Sequence, residues 1–241
     1  MIDLHCHILP AIDDGAANLQ ESLSLLRLAQ EQGITHMVAT PHIHPGYFDN
    51  TPEQIVQLTA LLKAAAEQAD INVKIACAAE LRVCVELLPL LQQKTAPFIG
   101  YHQDKPLLLL ELPHSHLPAG YENLLRFASK QGYAIMIAHP ERNRELMAYP
   151  QKITQLQALG CLFQLTAASI VGAMGERCQE VAEYFLTQGV VTIVASDCHS
   201  LKRRPPLMDQ AYAMVAEHFS AETAQRLFVT QPAALSAALF S

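Results

Sequence analysis

The sequence predicts an α/β chain, its parallel strands closed or nearly closed into a βα barrel of seven strands. Three observations predict it. Seven short apolar runs alternate with helical patterns from end to end. The runs LLLL at 107–110 and YAIMIA at 133–138 are apolar on consecutive residues, as strands covered on both faces are. No Gly- or Ser-rich linker, repeat or low-complexity tract divides the 241 residues, so a single domain over 1–241 is expected. An open doubly wound sheet is the alternative arrangement of the same elements.

Strands are expected near 2–5, 34–40, 72–79, 107–112, 133–138, 161–166 and 191–196. The first helix is expected over 18–32. Leu19, Leu23 and Leu26 recur at helical spacing, Asn18-x-x-Glu21 supplies an N-cap with an acid three residues on, and Gly33 ends it. The second begins Thr51-Pro52-Glu53-Gln54, a cap with a first-turn proline and a capping-box Gln, and Ile55, Leu58 and Leu62 follow on one face. Further helices are expected near 84–93, 120–131, 149–159, 176–188, 205–218, 220–228 and 232–239, with Pro205-Pro206 and Pro232 in first turns.

Composition narrows the classes. Hydrophobic residues make up 51% and charged residues 16%, which excludes a disordered chain. No uncharged apolar stretch reaches the ~18 residues of a membrane span, and MIDLHCHILP lacks the basic start of a signal peptide. A net charge of −7 without a densely basic stretch argues against nucleic-acid binding. The six cysteines form no CxxC, and a chain of this length needs no disulfide staples. Reduced thiols in a cytoplasmic protein are expected.

The 11 histidines carry the functional signal through their positions. Expected strand ends hold His5 and His7, His42, Glu80, Glu111, His139, and Asp197 with His199. Asp14 lies in the DDG turn after the first strand. In a βα barrel the C-terminal strand ends share one face, so five imidazoles and four carboxylates would converge in one mouth. Alone, each is more often a satisfied polar residue than a ligand. Together they would repel, or shift pKa steeply, without cations to balance them. His5 and His7 share a strand face and can reach one ion. Nine mixed nitrogen and oxygen donors exceed one tetrahedral zinc site and suit two or three divalent ions such as Mn, Fe or Zn.

The segments MIDLHCHILPAIDDGA, ATPHIHPGYF, AHPERN and ASDCHSLKRRPPLMDQAY, in that order, resemble the polymerase-and-histidinol-phosphatase (PHP) superfamily. Within it they are most similar to the bacterial manganese-dependent protein-tyrosine phosphatases of capsule and exopolysaccharide clusters. The resemblance spans essentially the whole chain. It implies a distorted (β/α)₇ TIM-like barrel with a cluster of two to three metal ions, manganese foremost, at the C-terminal strand ends. One ion would take His5 and His7 with Glu80 and Asp197, a second Glu80, Glu111 and His139, and a third Asp14, His42 and His199. Arg142 of HPER and Arg204 of RRPP match the arginines that hold the phosphate. Asp13 could replace Asp14, although the family pattern favours the second Asp. His44 reads as loop or substrate rim, His114 and His116 as a solvent-facing loop, and His36, His102 and His218 as structural. Cys6 and Cys198 depart from the commonest pattern, at positions that are not ligands.

The implied reaction is hydrolysis of phosphotyrosine by a metal-activated hydroxide, without a phosphoenzyme. Planar guanidinium groups suit the equatorial phosphate oxygens, and a phenolate leaving group of pKa about 10 needs no strong acid. The implied partner is the phosphotyrosine-bearing tail of the tyrosine kinase, or polysaccharide co-polymerase, of the same export system. Rival readings are a small-molecule PHP phosphoesterase like histidinol-phosphate phosphatase and a non-catalytic regulator that keeps the fold. A cysteine phosphatase is weaker: Cys198-x5-Arg204 has the spacing, but HSLKR has no Gly to open a phosphate cradle and contains His199.

Overall fold

The computed structural model describes residues 1–240, and both expected caps form in it. Asn18 Oδ1 accepts from the Glu21 N–H at 3.0 Å and opens the helix Leu19–Glu31. Thr51 and Gln54 close a capping box around Pro52 and open the helix Pro52–Gln68.

The strands are β1 (Ile2–Cys6), β2 (His36–Ala39), β3 (His42–Ile43), β4 (Lys74–Cys77), β5 (Glu80–Arg82), β6 (Tyr101–His102), β7 (Lys105–Glu111), β8 (Ala134–Ala138), β9 (Leu162–Thr166) and β10 (Ile193–Ala195). β1, β2 and β4 pair in parallel. β10, β9, β8, β7, β5 and β3 pair in that order, also in parallel, and β6 adds an antiparallel ribbon to β7. The result is a mixed α/β fold with parallel-strand sheets. Backbone bonds link its parts. The Asp197 N–H donates to His5 O at 2.8 Å and the His7 N–H to Cys198 O at 2.9 Å, which sets the end of β1 beside the end of β10. The Ala78 N–H donates to Ala39 O at 2.9 Å and the Glu80 N–H to Pro41 O at 3.1 Å, carrying the pairing of β2 with β4 on into that of β3 with β5.

Strand side chains alternate between two cores. The smaller gathers Leu4, Val38, Ala76, Ala78, Leu107, Leu109, Met136 and Ile193, closed by Leu235 from the helix Gln231–Ser236. Their neighbours Met37, Ala39, Ile75, Leu108, Leu110, Ile135 and Ile137 join the larger core with Leu25, Leu26 and Leu62 of the first two helices. Followed at every second residue, the smaller-core face runs from apolar to ionisable: Ala76, Ala78, Glu80 on one path and Leu107, Leu109, Glu111 on another. The ionisable residues therefore sit directly above an apolar floor. No helix among the described residues is long and apolar enough to cross a membrane.

The structure departs from the expected elements where the local chemistry was unreadable. The strands expected over 34–40 and 72–79 form as β2 and β4, and each is followed, just beyond the expected range, by a second short strand, β3 or β5. Pro41 has no N–H for the ladder, and pairing resumes at His42. His42 and Glu80 therefore open short second strands and do not end the first ones. The sequence does not announce β6, because its turn places Gln103 and Asp104 at φ +50° and +62°, a conformation usually signalled by Asn-Gly. The helix expected from 205 begins at Met208 after Leu207 at φ +50°, so Pro205 and Pro206 belong to the preceding loop. The helices expected over 220–228 and 232–239 are joined by a π turn, Arg226–Thr230.

Leu109 is fully buried in the smaller core, two residues before Glu111. Leu109→Ala should lower the unfolding free energy by about 2–5 kcal/mol, read from a denaturant midpoint shift at constant slope. A loss below about 1 kcal/mol would show that the floor beneath the site is not close-packed.

Candidate metal centre

The site begins with a bulge. The register of β1 against β2 shifts between Asp3 and Cys6. Leu4 lies in the smaller core and Cys6 in the larger, so the alternation slips by one step and delivers His5 and His7 to the mouth. Asp3 clips this bend in place. Its Oδ1 accepts from the Ser196 N–H at 2.9 Å and the His5 N–H at 3.3 Å, and its Oδ2 from Ser196 Oγ at 2.5 Å. Complete burial pushes the Asp3 carboxyl up to about 6, against the pull of those hydrogen bonds.

Glu80 is the hub. Its Oε2 lies 3.3 Å from His5 Nε2, 3.3 Å from His7 Nε2 and 3.1 Å from His42 Nδ1, and its Oε1 lies 2.8 Å from His139 Nε2. Asp197 Oδ1 is 3.4 Å from both His5 Nε2 and His7 Nε2. Asp14 Oδ1 is 3.4 Å from His42 Nε2 and from His199 Nε2. Four sets offer donor atoms within 4.8 Å of one another: His7, Asp14, His42 and His199; His5, His7 and Glu80; His5, His139 and Asp197; and His42, Glu80 and Glu111. All nine residues singled out in the sequence fall in these sets. The proximity sets cut across the expected division by ion, since Glu111 groups with His42 and Glu80, and His139 with His5 and Asp197. His139 and Asp197 take φ of +31° and +50°, left-handed values unusual for such residues and a local strain held by the packing around them.

The donor chemistry fits divalent cations. His5 Nδ1 donates to Gln164 Oε1 at 2.9 Å and His7 Nδ1 to Asp13 Oδ2 at 2.7 Å. In the neutral forms of the two rings both Nε2 atoms turn lone pairs toward one space, 3.2 Å apart. Glu80 Oε2, His42 Nδ1 and His199 Nε2 are buried without a hydrogen-bond partner. Burial disfavours charge throughout, and neighbours decide the outcome. Burial and then Arg142 push His139 down to about 4, and burial and then His7 do the same to His199, which favours the neutral, ligating imidazole. Burial opposes the Glu80 and Asp197 carboxylates too, yet His5 and its neighbours hold both well below the usual range.

Several supporting residues were not foreseen in these roles. Asp13, the rejected alternative to Asp14, orients the ligand set: besides His7 it takes the His42 N–H at 3.0 Å and the Gly15 N–H at 3.0 Å. The doublet thus divides its labour, with Asp14 toward the donor cluster and Asp13 behind it. Gly15 presses on His7 so closely that a Cβ would stand 2.2 Å from its carbonyl oxygen. Arg82 Nη1 donates to Glu111 Oε2 at 2.8 Å. Gln164, a polar residue inside LFQLT, was the readable signal for a second role beside His5.

Both expected arginines reach the mouth. Arg142 Nη1 and Arg204 Nη2 donate to the same Asp197 Oδ2. The chain bends back so that Arg204 O accepts from the His199 N–H at 2.9 Å, which turns Arg204 inward while Lys202 and Arg203 stay exposed. A cavity of about 60 Å³ lies among Asp14, His42, Glu80, Glu111, His114, His139, Arg142, Asp197, His199 and Arg204. His114 is exposed but lines it, with Nδ1 3.9 Å from Glu111 Oε1, whereas His116 is exposed beside Ser115. His36 packs edge-on to Phe240, away from the cluster. Cys198 is fully buried in the larger core, so its thiol does not enter the mouth.

Fold and site together define an α/β protein of parallel strands with a buried histidine–carboxylate centre fit for divalent ions, flanked by two guanidinium groups. The chain belongs to the CpsB/CapC family of capsular polysaccharide synthesis, whose family model matches residues 1–236. It is similar to the tyrosine-protein phosphatase YwqE of Bacillus subtilis (strain 168), 32% identical over 222 residues, which are 92% of this chain and 86% of the relative. It is also similar to the tyrosine-protein phosphatase CpsB of Streptococcus pneumoniae, 31% identical over 241 residues, covering 96% of each chain. Crystal structures of YwqE and CpsB describe them as unique metal-dependent tyrosine phosphatases; one of these chains superposes with a TM-score of 0.86 at 32% identity, covering 93% of this chain and 90% of the other.

Asp13→Asn should keep the fold and weaken metal binding about 10- to 100-fold, the effect of losing the partner that orients a ligand histidine. Calorimetric titration with Mn²⁺ checks this. An unchanged affinity would mean that Asp13 holds only its own loop.

Proposed function

We propose that the chain is a metal-dependent phosphomonoester hydrolase that removes phosphate from protein tyrosine. The observation that carries this reading is the convergence of Arg142 and Arg204 on one oxygen at the edge of the histidine–carboxylate cluster. The names of its relatives at 29–32% identity support the same activity.

Two to three divalent ions would be held by His5, His7, Asp14, His42, Glu80, Glu111, His139, Asp197 and His199, with manganese the expected metal. When bound, such ions supply Lewis-acid polarisation and an activated water. This chain's own residues do the rest. Asp13 and Gln164 fix the tautomers of His7 and His5, so that each keeps an Nε2 lone pair on the cluster side. Arg142 and Arg204 bind and orient the phosphate and neutralise its equatorial oxygens as charge develops. Asp197 pre-positions both guanidinium groups, so little reorganisation is needed when the substrate arrives. The apolar floor of Leu107, Leu109 and Met136 excludes water from below.

The finer assignments follow from this reading. The strands form one (β/α)₇ barrel, and the backbone bonds from His5 and His7 to Asp197 and Cys198 support closure between the first and last of them. Residues 1–241 are a single catalytic domain. The protein works in the cytoplasm on the phosphotyrosine-bearing tail of the kinase of a polysaccharide export system.

Metal content by mass spectrometry, combined with phosphotyrosyl-peptide turnover before and after chelation, tests the proposal. Chelation should abolish turnover and Mn²⁺ should restore it, while Cys198→Ser keeps most of it; the reverse pattern would support a cysteine nucleophile. Arg142→Ala and Arg204→Ala should each keep full metal content and lose about 2–4 kcal/mol of transition-state stabilisation, roughly 30- to 1000-fold in kcat/KM. Lys202→Ala and Arg203→Ala are the controls, and a comparable loss in either would reduce Arg204 to part of a general basic surface.

A further inference from the structure

Beside the mouth, the loop that follows β3 carries aromatic rings that the chemistry above does not use. Tyr47 is 80% exposed, more than any other large apolar side chain among the described residues. A single exposed aromatic needs no explanation on its own. The backbone that carries this one is tied down by hydrogen bonds. The Tyr47 and Phe48 N–H groups both donate to His44 O, at 2.9 and 2.8 Å, and the His44 N–H donates back to Phe48 O at 3.0 Å. Gly46 turns the loop at φ +81°, a left-handed value, and its N–H donates to Asp49 Oδ1 at 2.8 Å. Asn50 Nδ2 ties the loop down by donating to Ile12 O at 3.0 Å and His42 O at 2.8 Å.

The rings are layered in two pairs. Tyr47 stacks on His44 with centroids 4.6 Å apart, and Phe48 stacks on His42 at 5.3 Å and 10° between planes. His42 is a member of the donor cluster and His44 follows it by two residues, so the His44–Tyr47 pair sits on the loop that leaves the candidate metal centre, separate from the His42–Phe48 pair. The arginines come from other loops, after β8 and β10. A monoester with its phosphate on Arg142 and Arg204 would have to carry its organic group outside a cavity of about 60 Å³.

We propose that Tyr47, backed by His44, is a specificity-determining residue that stacks on the aryl ring of the substrate, so that the site selects aryl over alkyl phosphates. This rests on the phosphotyrosine reading and deepens it. Offset stacking at centroid separations of about 4.5–7 Å is the favoured aromatic geometry, and the exposed Tyr47 ring leaves one face free for it. A pre-ordered loop avoids the entropy of immobilising a mobile ring at each encounter.

Calorimetric binding of phenylphosphonate and methylphosphonate to the manganese-loaded protein tests this without relying on turnover. The wild type should bind phenylphosphonate more tightly. Tyr47→Ala should weaken phenylphosphonate about 2- to 12-fold, the range for one aromatic pair, and leave methylphosphonate within about twofold. Tyr47→Phe should keep wild-type values, because the ring and not the hydroxyl makes the contact. No preference in the wild type, an equal loss for both ligands in Tyr47→Ala, or no loss at all would each overturn the proposal. Wild-type turnover of a phosphotyrosyl peptide, measured alongside, separates the two claims. Turnover without a Tyr47 effect sinks the aryl contact alone, whereas a Tyr47-dependent phenyl preference without turnover sinks the assigned reaction and leaves an aryl site.

Discussion

Glu80 is a carboxylate buried against four imidazoles, and much of the local structure follows from accommodating it. A lone buried carboxylate would take up a proton, because desolvation penalises the charged form. Here His5, His42 and His139 keep it ionised, and Asp197 repeats the pattern with His5 and two arginines. Divalent cations would reconcile so many lone pairs in so little space. The bulge in β1, the Asp3 clip, the left-handed His139 and Asp197, and the absent side chain at Gly15 are the backbone adjustments that bring those lone pairs together.

The architecture separates rigidity from chemistry. On the Ala76–Ala78 and Leu107–Leu109 paths every second residue fills an apolar floor, and the next position on that face is Glu80 or Glu111. The floor's side chains are almost wholly buried, which seats Glu80 and Glu111 on packed strands. The arginines come from loops, but each is tethered: Arg142 by the turn Pro140–Arg142 at His139, and Arg204 by the backbone pairing that returns it to His199. That pairing also explains why one residue of a basic run differs from its neighbours.

The strand-end residues were legible because a βα fold places C-terminal strand ends on one face, and a polar residue closing an apolar run stands out. All nine came together in space. Residues behind them were harder to read. Asp13 and Asp14 are chemically identical, and only the fold decides which faces the cluster and which faces the His7 Nδ1. Nothing in the sequence around Arg82 marks it as the residue that fixes Glu111. The bulge has no sequence signature: nothing in Asp3-Leu4-His5-Cys6 says that Leu4 and Cys6 enter different cores. The break at Pro41 was readable in principle, since proline withholds an N–H, but its effect was to restart the strand at His42 and not to end it.

The adjacency of β1 to the end of β10 has a consequence for the order of events in the cell. Asp3 and Ser196, 193 residues apart, hydrogen-bond to each other, and His5 and His7 meet Asp197 and Cys198 through backbone bonds. A ribosome releases the first two histidines long before the aspartate. Until then the nascent chain holds only a partial, open set of donors, with the clip of Asp3 waiting for its serine. A centre that draws on both β1 and the segment after β10 is complete only once the closing contacts of the fold have formed. A fragment stopped before Ser196 lacks Asp197, His199 and the seam that completes the centre.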